Sequence, residues 1–199
     1  ANLGSVRIGD CIEHAQIDGR GLIWVGWGDE AASWETNQDW RVPGLDWPPC
    51  TYGLCAFDET GAVKTIPEGV SEPIVHSYAL NVGPDGPVYA CPYPSFEILA
   101  LTPGQPLHKW STDLEGPKSI IVRPPFALAL GGWEPEEDHV VLLRLGTTGS
   151  QEIGRWRMPQ LTWREHPYDF AVARGDVFHV IVDGQWHRWR LEQFLLASA

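Results

Sequence analysis

The histidines and carboxylates near the starts of the predicted strands are the residues of this chain best suited to chemistry. His14 and His76 fall at or just before strands that open two similar units, and Glu13, Tyr78 and Asp169 hold comparable positions. If the units surround one centre, these side chains face a common opening, where a divalent cation or a general base would support hydrolysis or elimination. This is the catalytic hypothesis, and it assigns no catalytic residue and no definite cofactor.

Residues 28–52 form a second candidate site, because they mix tryptophans with carboxylates and follow neither helical nor strand periodicity. Aromatic rings in a polar loop can stack on sugars, peptides or cations. Alternatively, the loop packs on its own tryptophans as a private core. The adjacent carboxylates of Asp29 and Glu30 suit a cation such as Ca²⁺ or, more simply, a solvated loop entrance. The predicted ligand-binding residues are Trp27, Asp29, Glu30, Trp34, Asp39, Trp40, Asp46 and Trp47.

The composition excludes several classes of function. The 199 residues carry a formal net charge of −12, so nucleic acid and anionic membrane are not expected partners. The basic-aromatic run His187–Arg190 is better explained as an outer strand with one solvated face. The first five residues lack the features of a signal peptide, which predicts a cytoplasmic protein with reduced thiols. The spacing of Cys11, Cys50, Cys55 and Cys91 does not match a zinc site.

The elements that must position these residues are short strands separated by turns. Ile12–Ile17, an Asp18-Gly19 turn and the apolar run Leu22–Trp27 form a pattern that recurs three more times in weaker form. The four units contain four, four, four and three predicted strands, and a strand at 5–9 would supply the missing one by closing a ring. We therefore predict an all-β, single-domain β-propeller of about four blades; the alternatives are a β-sandwich or half of a larger propeller. The predicted blades are about 10–68, 76–112, 118–158 and 167–191.

Two segments carry a resemblance to a known family. Ile17–Gly26 and Gly53–Gly61 resemble a bacterial propeller repeat of the form D-x-x-G-x-I-W-V-G followed by G-L-x-x-F-D-x-x-G. That repeat occurs in two-component sensor propellers, streptogramin-lyase-like propellers and NHL-type domains, and the chain is also similar to uncharacterised bacterial propeller proteins. The resemblance implies the fold and, for the lyase-like members, elimination by histidines and a divalent metal. It transfers no site residue, because no matching histidine pattern occurs here.

The sequence thus predicts a non-enzymatic propeller that binds a protein or small molecule through the Trp-rich acidic loop. A metal-dependent hydrolase or lyase is the first alternative. A structural half-ring that pairs with itself, as a homodimer, is the second.

Overall fold

The computed structural model describes residues 5–31, 39–83, 86–159, 161 and 170–197. Within these residues the chain is almost entirely β-structure, and the all-β prediction is confirmed. The strands are β1 Ile12–Ile17, β2 Ile23–Trp27, β3 Leu54–Phe57, β4 Val63–Thr65, β5 His76–Val82, β6 Val88–Tyr93, β7 Ile98–Leu101, β8 His108–Trp110, β9 Ser119–Arg123, β10 Phe126–Leu130, β11 His139–Leu145, β12 Ser150–Arg157, β13 Phe170–Arg174, β14 Val177–Val182 and β15 Gln185–Arg190. A 3-10 turn covers Pro49–Tyr52, and helix α1 covers Leu191–Ala197.

The strands form several antiparallel meanders, and none of the sheets closes on itself. The first unit is the sheet β1–β4, and the third unit is the sheet β9–β12. The second unit, β5–β8, and the fourth unit, β13–β15, merge into one seven-stranded sheet. A single parallel pair, Ala173 with Asn81, joins these two units. The structure therefore has three sheets where the sequence suggested four separate units.

Four apolar layers form the core, and three of them join neighbouring units in the order of the chain. One layer lies between the first and second units, one between the second and third, and one between the third and fourth. The fourth layer lies on the outer face of the first unit, where Trp40, Val42 and Cys50 from the 28–52 segment cover Trp27 and Phe57. Strands covered on both faces have continuous apolar runs, which explains the composition of β2, β7 and β10.

The D-x-x-G elements of the repeat are turns closed by an aspartate side chain. The Asp18 carboxylate accepts bonds from the backbone N–H groups of Arg20 and Leu22, at 2.8 and 3.0 Å. Asp58 accepts the equivalent bonds from Thr60 and Ala62, at 2.9 and 3.1 Å. The glycine three residues after each aspartate has a positive φ, which other residues rarely adopt. The shared motif therefore encodes a turn and not a site.

Polar side chains connect the first strands of the units at the centre of the molecule. The amide of Gln16 on β1 donates to the carbonyl of Leu80 and accepts from the N–H of Val82, at 2.9 and 3.1 Å. The buried amide of Asn81 donates to the carbonyls of Ile120 and Gly175, at 2.9 and 2.8 Å. Asn81 thus bridges the second, third and fourth units, and the interior is filled at this position.

The predicted closing strand at 5–9 is wrong. These residues form no strand and lie on the first unit, where the Ile8 carbonyl accepts a bond of 3.1 Å from Trp27 Nε1. The positive φ of Gly9, 87°, and of Cys11, 56°, interrupts the extended run that the alternating sequence suggested. None of the described helices is both long and apolar enough to cross a bilayer.

Candidate functional site

An aromatic platform lies where the first strands of three units begin. It consists of Tyr78, Tyr93, Phe96 and Trp133. The centroids of the Tyr78, Tyr93 and Trp133 rings are 6.1–6.5 Å apart. Phe96 is buried and lies 5.2–5.7 Å from each of the other three rings. Trp133 is 39% exposed and Tyr93 is 36% exposed, so the platform presents aromatic surface to solvent.

The position of Trp133 is fixed by its neighbours. Its backbone N–H donates to the carbonyl of Glu115, at 3.0 Å, and its ring lies against Gly116. A Cβ at position 116 would come within 2.4 Å of the ring, so the contact requires glycine there. The indole Nε1 donates to the hydroxyl of Tyr78 at 3.3 Å, which links the third unit to the second. A side chain that is already ordered loses less entropy when a ligand binds.

Two of the predicted histidines lie beside this platform. The His76 ring contacts the Tyr78 ring in a tilted arrangement with centroids 4.2 Å apart, and its Nδ1 accepts the N–H of Asp29 at 3.3 Å. His14 Nε2 donates to the carbonyl of Tyr78 at 3.1 Å. Burial lowers the pKa of His14 and outweighs its bond to that carbonyl, so the ring is neutral near pH 7. The structure therefore brings together His14, His76, Tyr78 and Asp29.

Among the described residues, the predicted tryptophans Trp27, Trp40 and Trp47 do not form one surface. Trp27 and Trp40 are buried and pack with Phe57, so they have no exposed face for a ligand. Trp47 is 66% exposed, and the exposed carboxylates of the predicted set are Asp29, Glu30, Asp39 and Asp46.

The remaining predicted residues divide into those the structure places and those it does not. Glu13 is exposed on β1, with its Oε1 close to Gly28. Trp34 and Asp169 lie outside the described residues. Among the residues that the structure describes, no three His, Cys, Asp or Glu side chains are grouped so that they could hold a metal ion.

A groove of about 640 Å³ lies elsewhere, between β4 and the β7–β8 connection. Its walls are formed by Gly44, Leu45, residues 63–68, residues 101–102 and residues 104–107, with Leu101 at the end of β7. The described lining contains no aromatic ring and no histidine, and its Lys64 ammonium is already 2.8 Å from Asp58. The groove therefore offers fewer groups for recognition than the aromatic platform.

Comparison with known proteins adds little to this geometry. No family model and no curated protein sequence matches the chain. The chain is similar to the structure of a catalytically inactive virginiamycin B lyase from Staphylococcus aureus with quinupristin, at 11% identity and a TM-score of 0.46. That match covers 93% of this chain and 57% of the other. The selenomethionine-substituted lyase matches at 12% identity and a TM-score of 0.42, over 88% and 54% of the two chains. The chain thus spans little more than half the length of these structures.

Sequence reasoning missed three of the four platform residues, namely Tyr93, Phe96 and Trp133. Trp133 follows the Gly131-Gly132 pair and precedes an acidic stretch, so it is a single large ring in a polar connection. That composition is a usable signal, because such a ring needs either a packing partner or a ligand. Tyr93 and Phe96 carry no comparable signal, since their meeting with Trp133 depends on how the units pack.

Proposed function

We propose that the protein is a non-enzymatic, propeller-like binding protein whose four meanders act as blades, and that the aromatic platform binds an organic cation. The observation that carries the proposal is the partial exposure of Trp133 and Tyr93 on a fixed aromatic cluster. Ring faces attract cations through their quadrupole, and a quaternary ammonium group is the best match for several rings at once.

The charge around the platform supports a cationic ligand. Asp29 is held beside the platform by its bond to His76, and its side chain is 68% exposed. The next residue after Trp133 is Glu134, which is also exposed. A net charge of −12 raises the local concentration of cations and speeds their encounter with the protein. Binding of a cation would therefore be favoured by long-range electrostatic attraction as well as by contact with the rings.

The test compares choline with 3,3-dimethylbutan-1-ol, which has the same shape but no charge. We expect saturable choline binding by calorimetry, much weaker binding of the neutral compound, and a shift of the Trp133 indole N–H signal in NMR spectra. Trp133→Ala should weaken choline binding by about tenfold. Trp47→Ala, which removes an exposed tryptophan outside the platform, should leave it unchanged.

Three results would count against the proposal. Equal binding of the two compounds would show that the platform recognises shape and not charge. No binding of either at millimolar concentration would remove the platform as a cation site. An equal loss in the Trp47→Ala variant would place the ligand elsewhere.

A further inference from the structure

The groove between β4 and the β7–β8 connection is bounded on one side by an open strand edge. β4 is the last strand of the first sheet, and among the described residues no strand pairs with its other edge. A strand in that position leaves alternate backbone N–H and C=O groups without a strand partner. The strand is three residues long, and the chain turns just after it, where the Ile66 carbonyl accepts a bond of 3.0 Å from the N–H of Glu68. The main chain of β4 is therefore available to a short extended segment.

Two apolar layers of the core end at this groove. Val63 and Ile66 belong to the layer on the outer face of the first unit. Leu107 belongs to the layer between the first and second units. All three side chains are half-buried and line the groove, as does the half-buried Leu45. An apolar side chain that enters the groove would therefore shield the open ends of both layers from water.

The opposite wall of the groove is a turn of the second unit. The N–H of Gln105 donates to the carbonyl of Thr102 at 3.0 Å, and Gly104 has a positive φ of 76°. The hydroxyl of Thr102 and the amide of Gln105 add polar groups to this wall. The groove volume of about 640 Å³ is within the range of about 300–1,000 Å³ that is typical of ligand sites. A few residues of extended chain fit such a space, and a folded domain does not.

The charge of the lining favours a basic ligand. Its two charged side chains are Lys64 and Glu68. Asp58 neutralises Lys64, because the ammonium and carboxylate are 2.8 Å apart. Glu68 is exposed and makes no ion pair among the described residues. Since the whole chain also carries a net charge of −12, a positively charged peptide would be attracted to the groove.

We propose that this groove binds a short extended peptide segment of a partner protein, in which apolar residues alternate with lysine or arginine. The segment adds a strand to the free edge of β4. In this mode of recognition, main-chain bonds supply affinity, and the alternate side chains that enter the groove supply specificity. The site is separate from the aromatic platform, because none of the platform rings lines the groove.

The test uses the blocked peptide acetyl-Lys-Val-Lys-Val-Lys-amide, with binding measured by calorimetry and NMR. We expect saturable binding at or below millimolar concentration, with shifts of the backbone amide signals of β4. Two N-methylated peptides serve as matched controls, one methylated at both valines and the other at the central lysine. Because alternate amides of the added strand face β4, only one of these peptides should lose affinity, by about tenfold.

Variants of the protein test the groove itself. Leu45→Asp places a charge in the apolar wall and should weaken peptide binding by about tenfold. Glu68→Lys should weaken it by about threefold at low salt and less at high salt. Asp113→Lys, which makes the same change of charge at an exposed carboxylate outside the groove, should have no effect. Thermal melting of each variant separates lost binding from lost folding.

Trp133→Ala should leave peptide binding unchanged, so failure at the groove and failure at the platform are distinguishable. The proposal is overturned if the peptide does not bind, or if both methylated peptides bind as well as the parent. Equal binding of a peptide with glutamate in place of each lysine would overturn the basic specificity. A chain that has twice its mass of 22.2 kDa in light scattering, and that the peptide dissociates, would replace the partner protein with a second copy as the occupant.

Discussion

The outer faces of the first and fourth units are built on similar meanders but meet different surroundings. The first unit places Trp27 and Phe57 on its outer face, and the 28–52 segment buries them completely. The fourth unit places Phe170 and Trp186 on its outer face, and no described residue buries them to the same extent. An exposed sheet face in a stack of repeats needs a cap or a partner. Trp27 and Trp40 thus act in packing, whereas Trp186 of β15 is exposed.

The turns of the first and fourth units are also stabilised in different ways. The first unit closes its turns with the carboxylates of Asp18 and Asp58, which satisfy backbone donors directly. The β14–β15 turn of the fourth unit consists of Asp183 and Gly184, both with positive φ, which matches the twist of a tight hairpin. The turns of the first unit are therefore stabilised by side-chain hydrogen bonds, and the β14–β15 turn of the fourth unit is stabilised by its backbone conformation.

The largest expected difference between the two faces is in stability. Trp27→Ala removes a fully buried ring and should lower the free energy of unfolding by about 4 kcal/mol. Trp186→Ala should change the unfolding free energy of the monomer by no more than about 0.5 kcal/mol. Urea unfolding at low protein concentration, where association does not contribute, measures both. Similar losses in the two variants would contradict the contrast between a covered and an open face.

Thiol labelling tests whether the segment acts as a cover. Cys50 and Cys55 are buried in the layer with Trp40, and burial raises the pKa of both thiols. Trp40→Ala should speed their labelling on the order of a hundredfold, because it weakens the cover by several kcal/mol. Cys91, buried between the second and third units, serves as the internal control. An equal acceleration at Cys91 would indicate global unfolding in place of local opening.

The aspartate turns give a pH-dependent prediction. Burial tends to raise the pKa of Asp18, but its bonds to Trp24, Arg20 and Leu22 together lower that pKa below its ordinary value. A carboxyl with a lowered folded pKa stabilises the fold above its unfolded pKa of about 3.9, and this stabilisation is lost as pH falls through the folded pKa. Asp18→Asn should cost about 2 kcal/mol at neutral pH and much less at acidic pH. A cost that is equal at both pH values would show that the charge is not involved.

The smallest expected effect is at Asp58. Lys64 and Thr60 hold the pKa of this carboxyl well below its usual range, but the pair lies at the surface. Asp58→Asn should therefore destabilise the protein less than Asp18→Asn does, and the loss should shrink in salt. Unfolding midpoints of the two variants at low and high ionic strength provide the measurement. A larger loss for Asp58→Asn would contradict the ranking by burial.

Local sequence patterns predicted the strands well, but they did not predict how strands from different units pair. The run Leu22–Trp27 and the alternation of Gln185–Leu191 are visible in the sequence, and they fold as β2 and the outer strand β15. The alternation of Ser5–Ile8 is equally visible, but these residues form no strand, because the bond from Trp27 to the Ile8 carbonyl holds them on the first unit. The parallel pair of β5 with β13 joins strands that lie far apart in the chain and leaves no local signal.

The candidate site was predicted in part for the same reason. His14 lies on β1, and His76 and Tyr78 lie on β5; both are first strands of their units, so the repeat indicated that these side chains could meet. The contact of Trp133 with Gly116 and Tyr78 depends on two connections from different parts of the chain. Such a contact is determined by tertiary packing and not by periodicity.

The order of the apolar layers also governs how the molecule would respond to force. Each layer between units joins units that are consecutive in the chain, and Leu191 and Phe194 of α1 belong to the layer between the third and fourth units. A pull on the C-terminus would load this helix and β15 first, while the covered first unit would be loaded last. The chain would peel apart one unit at a time from the fourth unit, and the bonds between the Asn81 side chain and the Gly175 backbone must break before the fourth unit separates from the second.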